Sequence, residues 1–358
     1  MDSRTRIRRT IGRKSLDRLP LDFWAADDMV KRLCTSFGIS REFLWQKAHA
    51  DLRYIPGADY IGPPLETFSD GSRRDIWGVR RKTYTTASGV SYTNVVEHPL
   101  QDANSIAEVE DYGHWPDPDW FDYSSIADHC REHAGYAVAF SGGRLNRTSQ
   151  LKAGMYLRGV QTVLEDTICE PKLLEAILER VSAFYLEYNR RVFEAAAGNL
   201  DIFMMGDDFG MQQGLIVNKP AWQRFFQPNL QRFIDLAKRY DLTVMHHSCG
   251  AIRPLIPDFI DMGLDILNPI QPEAQGMDPA SLQKEFGRDI VFHGTISIQQ
   301  TLAFGSPQDV KDEVRQRIGT FEPAGGCILC TAHNIQADVP LENAEALLEA
   351  YESYAGSG

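Results

Sequence analysis

The chain has 358 residues, 43% hydrophobic and 24% charged, with a formal net charge of -12. This is ordinary globular composition, long enough for one large α/β barrel or two mid-sized domains, and its acidic balance argues against nucleic acid, which wants a basic surface. No apolar run approaches the ~20 residues of a bilayer span, and the basic start lacks the apolar core of a signal peptide, so a cytoplasmic protein without a membrane partner is expected.

The chain opens on "MDSRTRIRRTIGRK". Residues 1–18 read as a basic arm, expected to be a solvated terminus; the alternative is an arm that touches an acidic partner or subunit. Residues 19–358 read as a single domain, irregular and β-prone up to about residue 118. In that stretch "IPGADY", "SDGS" and "ASGVSY" are turn signals between short β-prone runs such as "RKTYTT" and "SYTNVV". "HWPDPDWFDY" is a connector in which Asp122 is placed to cap the next helix.

From Tyr136 the pattern becomes regular. Strands are expected at "YAVAFSGG", "LDIFMMGDDFG", "LTVMHH", "LDILNPI", "DIVFHGTI" and "GGCILCTA". Between and after them, "PKLLEAILERVSAFYLEYNRRVFEAAA", "PAWQRFFQPNLQRFIDLAKRY", "IRPLIPDFIDMG", "DPASLQKEFG", "SPQDVKDEVRQRIGTF" and "PLENAEALLEAYESY" read as helices. Strands alternating with helices imply parallel pairing. No G-x-G-x-x-G turn follows a strand, which removes the main support for a dinucleotide fold. A (β/α)8 TIM barrel is therefore the expected architecture, with an open doubly wound sheet as the alternative.

In a barrel of this kind the reacting groups sit at the C-terminal strand ends. Those ends read "GDD", "HHSC", "NPIQPE", "FHGT" and "CTAHN". Acids, histidines and thiols gather at one rim while the strand bodies stay nearly free of charge, which points to an enzyme. His247 and Cys249 are two apart, so an extended strand turns both to one face and His246 to the other. That spacing lets one element offer a nitrogen and a thiolate to a tetrahedral ion; the plainer reading is a structural histidine beside a buried thiol. A third ligand would come from His333 or Cys330, the latter weakened by its place in an apolar strand body.

Asp207 and Asp208 form an acid pair. One or both serve as a helix cap or solvated acid, or one acts as general acid/base or fourth metal ligand. His293 reads as a barrel histidine or a reacting-site residue. Gln212, Gln271 and Gln299 are candidate substrate contacts. The six cysteines are too scattered for a disulfide framework and read as reduced thiols.

The stretches "MGDDFGMQQG", "VMHHSCGAIRPLIPDFIDMGLDILNPIQPE", "FHGTISIQ" and "GGCILCTAHNIQADVPLENAEALLEAY" resemble the uroporphyrinogen decarboxylase superfamily over roughly residues 130 to 355. The resemblance implies a (β/α)8 barrel. It also implies one of two chemistries: cofactor-free decarboxylation of porphyrinogens, or zinc-dependent methyl transfer between a corrinoid protein and a thiol. The Arg-Gln-Ala-Gly-Arg segment that grips carboxylates in the decarboxylases is replaced by "PLDFWAADDM", which would set Asp27 and Asp28 against an acidic substrate. The Phe-Ser-Asp-Ile-Leu segment of those enzymes has no counterpart.

His247 and Cys249 match the His-x-Cys of the methyltransferase branch. Its third ligand, a cysteine in an "SPGC"-like turn, is His333 here, and the decarboxylases also carry a histidine at that turn. The resemblance thus implies a zinc site of His247, Cys249 and His333 that activates a small-molecule thiol, with the methyl donor a corrinoid on a partner protein or another activated methyl. The alternatives are a metal-free decarboxylase or lyase that uses Asp207 and His333, and a non-catalytic corrinoid- or tetrapyrrole-binding protein. Barrels of this family often form homodimers, so a homodimer is expected.

Overall fold

The computed structural model describes residues 1–85, 91–142 and 147–356. Seven parallel strands form one sheet: β1 (Leu52–Ile55), β2 (Ala137–Phe140), β3 (Ile202–Gly206), β4 (Thr243–His247), β5 (Ile266–Asn268), β6 (Val291–His293) and β7 (Cys327–Ile328). They pair in chain order. Leu21 then bridges Ala50 on one side and Leu329 on the other, closing the ring as a minimal eighth strand. The amide of Asp51 donates to Leu21 and that of Asp22 to Leu329 across the two seams. The expected α/β barrel is present, wrapped by helices such as Pro171–Ala195, Gln227–Lys238 and Pro307–Phe321.

Strand alternation sorts the side chains. Ala137 and Ala139 of β2, Ile202 and Met204 of β3, and Met245 of β4 face inward and pack with Leu52, Ile266, Val291 and Ile328. Their neighbours Val138, Phe140, Phe203, Met205 and Val244 join the larger core under the helices. His247, two residues after Met245, therefore points inward, and His246 outward.

The N-terminal segment corrects one expectation. It is not a solvated tail: Ser3–Ile11 forms helix α1, started by Asp2, whose carboxylate accepts from the Thr5 amide at 2.7 Å. Ile7 packs into the barrel's inner cluster beside Leu52, Ala137 and Val291. The basic residues neutralise acids that precede the strands. Arg6 reaches Asp51 at 2.6 Å, Arg18 the same carboxylate at 2.9 Å, and Arg4 meets Asp201 at 2.8 Å. Charge alone suggested exposure; buried carboxylates at the strand starts are what hold the arginines down.

The stretch to residue 118 is also more regular than expected. It holds α2 (Asp27–Phe37), the helix Arg41–Lys47 and β1. Strand β1, "LRYI", was hard to see because Arg53 interrupts it; that guanidinium lies 3.7 Å from the Tyr136 ring centre and pairs with Glu42. The antiparallel strands Arg80–Thr85 and Ser91–Glu97 match the expected β-prone runs, and residues 87–90 of the expected "ASGVSY" turn lie outside the described residues. Asp122 does not cap the helix Ile126–Glu132; it accepts from the Ser124 amide at 2.9 Å, a local turn. No helix among the described residues is long and apolar enough to cross a membrane.

Asp51→Ala is expected to lower stability by about 3 kcal/mol, because it strips buried Arg6 and half-buried Arg18 of a shared carboxylate. Urea unfolding measures this, and a loss within about 1 kcal/mol, the size of a surface pair, would show that α1 is not held electrostatically.

Candidate metal centre and substrate cavity

The loops after β3, β4 and β7 bring the site together. His247 closes β4, Cys249 follows in the turn, and His333 lies in the loop after β7. Backbone proximity is what makes this fit possible. A Cβ at Gly206 would stand 2.8 Å from the His247 Cβ, and one at Gly250 would stand 2.4 Å from the Gly210 carbonyl carbon. Gly250 also has φ +86, a left-handed backbone that glycine adopts without strain. The two loops therefore cross in near contact and deliver Cys249 beside His247. The His333 loop is tied down by the Thr331 hydroxyl donating to the His333 carbonyl at 2.7 Å and the Ile335 amide donating to Trp24.

The side-chain ligand atoms of His247, Cys249 and His333 all lie within 4.8 Å of one another. Cys249 Sγ is 3.5 Å from His247 Nε2. A tetrahedral zinc with ordinary bond lengths spaces sulfur and nitrogen by about 3.5 Å, so the residues fit the ion. Asp208 Oδ1 adds a fourth electron-pair donor, 3.5 Å from His247 Nε2, while accepting the Cys249 amide at 3.1 Å. Cys330, the other candidate third ligand, is fully buried elsewhere, grouped with Asp22 and His293.

Protonation states can be followed through the hydrogen bonds. Tyr54 donates to Asp22 Oδ2 at 2.7 Å, and His293 Nε2 lies 2.9 Å from the same oxygen. An ionised Asp22 only accepts, so His293 Nε2 donates and its Nδ1 is left to accept from Asn268 Nδ2, at 2.6 Å. Asn268 Oδ1 then faces His247 Nδ1 at 2.5 Å, which must carry the proton. The Nε2 lone pair of His247 is thereby aimed at Cys249, the tautomer a metal ligand needs.

Burial drives the His247 pKa down to about 3 against the pull of Asp208, and it also lowers that of His333. Burial and Asp208 push the Cys249 thiol up to about 12, so without a cation it stays protonated. Burial opposes ionisation of Asp208, but the neighbouring His247, the Lys152 ammonium at 2.9 Å and the Cys249 amide favour it and hold its pKa below the usual range. Neutral imidazoles, a carboxylate and a thiol converging on one point make a set of electron-pair donors suited to a cation.

The other expected site residues separate. Asp207 is a helix cap: it accepts from the amides of Gln150, Leu151 at 3.0 Å and Lys152 at 2.8 Å, at the start of α3 (Leu151–Arg158), and burial lifts its pKa to about 6. His293, expected among the reacting groups, is wholly buried, and its hydrogen-bond link to His247 runs through Asn268. Gln271 accepts from the Gly250 amide at 3.0 Å, whereas Gln212 donates to Gln299 at 2.9 Å. All three glutamines border a cavity of about 420 Å³ shared with Cys249 and His333. His246 points outward between the Phe209 and Phe259 rings, as alternation required.

A second cavity, about 480 Å³, also borders His333 and is lined by Trp77, Arg81, Arg147, Lys152 and Tyr156 among others. Asp27 and Asp28, expected to face an acidic substrate, do not border it. They are exposed on α2, where Asp27 pairs with Arg41 and Asp28 with Lys31. Asn268, Asp22, Arg147 and Lys152 are the residues that sequence reasoning missed; only Asn268 carried a signal, its place in a polar strand end.

A model of the uroporphyrinogen decarboxylase (URO-D) family matches residues 94–354. The chain belongs to that family. A uroporphyrinogen decarboxylase from Psychromonas ingrahamii is 20% identical over 220 residues, 60% of this chain, and the match spans only 57% of that relative's length. Among solved structures, a methyltransferase from Methanosarcina mazei aligns over 99% of both chains with a TM-score of 0.67 at 16% identity, a likeness of fold.

Asn268→Leu is expected to weaken zinc affinity 10–100-fold, since it frees the His247 ring and its tautomer. Competition with a chromophoric chelator reads this out, and unchanged affinity would mean that the hydrogen-bond chain does not orient the ligand. Asp207→Ala should instead cost about 2 kcal/mol of stability by orphaning three amides, with metal affinity per folded molecule unaltered.

Proposed function

We propose that the chain is a zinc-dependent methyltransferase that activates a small thiol for methylation. The observation that carries this reading is the convergence of His247 Nε2, Cys249 Sγ and a His333 ring nitrogen within 4.8 Å, with the His247 tautomer already set for ligation. His247, Cys249 and His333 would hold the ion, a His₂Cys set that leaves one position for substrate. Bound there, zinc would act as a Lewis acid that lowers the pKa of a thiol occupying that position.

The chain's own residues supply the rest. Asp208 Oδ1 faces the same point and is the group to accept the proton of an incoming thiol, while Lys152 balances the carboxylate's charge. Trp24, stacked on His247 with ring centres 6.2 Å apart, walls the site and limits water. Gln212 and Gln299 border the smaller cavity and would orient substrate there. In this reading the methyl donor is a corrinoid on a partner protein or an equivalent activated methyl.

A metal-free decarboxylase of a carboxylated substrate is the second reading, favoured by Arg81, Arg147 and Lys152 on the larger cavity.

Metal content decides between them. Plasma mass spectrometry on tag-free protein is expected to find about one zinc per chain, lost in Cys249→Ser and in His333→Ala. Folded wild-type protein that stays metal-free after purification in zinc-containing buffer would sink the methyltransferase mechanism.

A further inference from the structure

A cavity outside the candidate centre is acidic. It measures about 630 Å³ and lies against the loops after β5 and β6 and the helix Pro307–Phe321. Glu273, Asp309, Asp312 and Glu313 stand in its wall, with Arg317 as the lining cation. None of its lining residues borders the cavity beside Cys249, although Gln271 and Gln299 of the same two loops border that one.

Two of the acids are committed elsewhere. Asp309 accepts from the Ser306 amide at 2.8 Å in the cap of its helix, and Asp312 pairs with Arg315. Glu273 and Glu313 differ. Ser297 holds both, its hydroxyl donating to Glu273 Oε1 and its amide to Glu313 Oε1 at 3.2 Å. Arg317 also donates to Glu313 Oε1, at 2.6 Å. The second oxygen of each carboxylate, Oε2, is buried without a hydrogen-bond partner. Glu313 is only 8% exposed, and Glu273 has no cationic partner among the described residues.

A carboxylate oxygen taken from water without a donor is costly, and two carboxylates gathered on one serine repel each other. Arg317 offsets one of the two charges, so a further cation is needed to neutralise the pair. The other donors nearby are oxygens, the hydroxyl of Thr301 and the side-chain amides of Gln300 and Gln316. Among the described residues no histidine or cysteine lines this cavity, and an oxygen set suits magnesium or calcium better than zinc. Magnesium is commonly held by one or two carboxylates with waters completing its shell, and about 630 Å³ leaves room for them. An organic cation fits less well, because the walls offer it no aromatic face.

We propose that Glu273 and Glu313 bind a hard divalent cation, magnesium or calcium, that clamps the loops after β5 and β6 to the helix Pro307–Phe321. The clamp fixes the loops that present Gln271 and Gln299 to the neighbouring cavity. This inference stands on the carboxylates and is independent of zinc.

Calorimetry with the ions alone tests it. Wild-type protein stripped on a chelating resin should bind about one equivalent of magnesium or calcium, and its Tm should rise in about 10 mM of the chloride salt. Glu273→Gln and Glu313→Gln should each weaken binding about tenfold or more, since affinity follows the charge of the ligands. The Glu273 variant keeps the test readable if loss of the Arg317 partner unfolds the other. Asp312→Asn should bind within about twofold of wild type, because that acid is occupied by Arg315. Cys249→Ser should also bind as wild type does, which separates this ion from zinc at the rim. Hydrogen exchange at residues 296–301 should slow when the ion is added. No binding of either ion by folded wild-type protein, binding undiminished in the glutamine variants, or unchanged exchange in that loop overturns the proposal.

Discussion

A chain of hydrogen bonds crosses the barrel interior from Tyr54 of β1 through Asp22 of the closing segment, His293 of β6 and Asn268 of β5 to His247 of β4. Each member has one role open to it. An ionised carboxylate only accepts, an imidazole with one proton both donates and accepts, and a primary amide has one end of each kind. The sense of the chain therefore propagates from Asp22 and dictates which nitrogen of His247 is free. Placing this polar chain in a barrel interior is costly unless every member is satisfied, and here the buried links are.

The two neighbouring acids show how one local sequence serves fold and site together. Asp207 turns back to the start of α3 and holds three amides; Asp208 turns toward His247 and Lys152. Lys152 joins the two roles, since its amide is held by Asp207 and its ammonium by Asp208. The helix that supplies the site's balancing cation is thus anchored by the acid next to the one it balances. Close approach of Gly210 and Gly250 completes the arrangement by letting the β3 and β4 loops cross without side chains between them.

Charge is distributed unevenly over the molecule, and the unevenness is informative. The net charge is acidic, and the basic N-terminus is consumed in neutralising Asp51, Asp201 and Asp17 on the barrel floor. At the opposite end, where the strands finish, cations line the larger cavity although the nearby acids of α2 face solvent. A family likeness that rests on an N-terminal arginine segment would misjudge this site, because its cations come from other elements: the strand Arg80–Thr85, the stretch before α3, and α3 itself.

Much of the fold was legible in the residues. Six of the seven sheet strands announced themselves as apolar runs alternating with amphipathic helices, because parallel strands buried on both faces must be apolar and helices must show one apolar face. The period of two also assigned His247 inward and His246 outward. Strand β1 and the Leu21 seam were not legible, since a strand of four residues carrying Arg53 and a single bridge have no periodicity to read. The candidate ligand trio was within reach of spacing and resemblance together, with Cys330 already set aside for its apolar strand body; what the structure adds is that the loop after β7 brings His333 within 4.8 Å of His247 and Cys249. Local sequence determined which residue types stand at the strand ends and which face they take, because those follow from a two-residue repeat. Only the tertiary structure decided that Asn268 sets the His247 tautomer and that Asp207 caps a helix while Asp208 faces the site. Those outcomes depend on which distant partner arrives within about 3 Å, a quantity that no local pattern encodes.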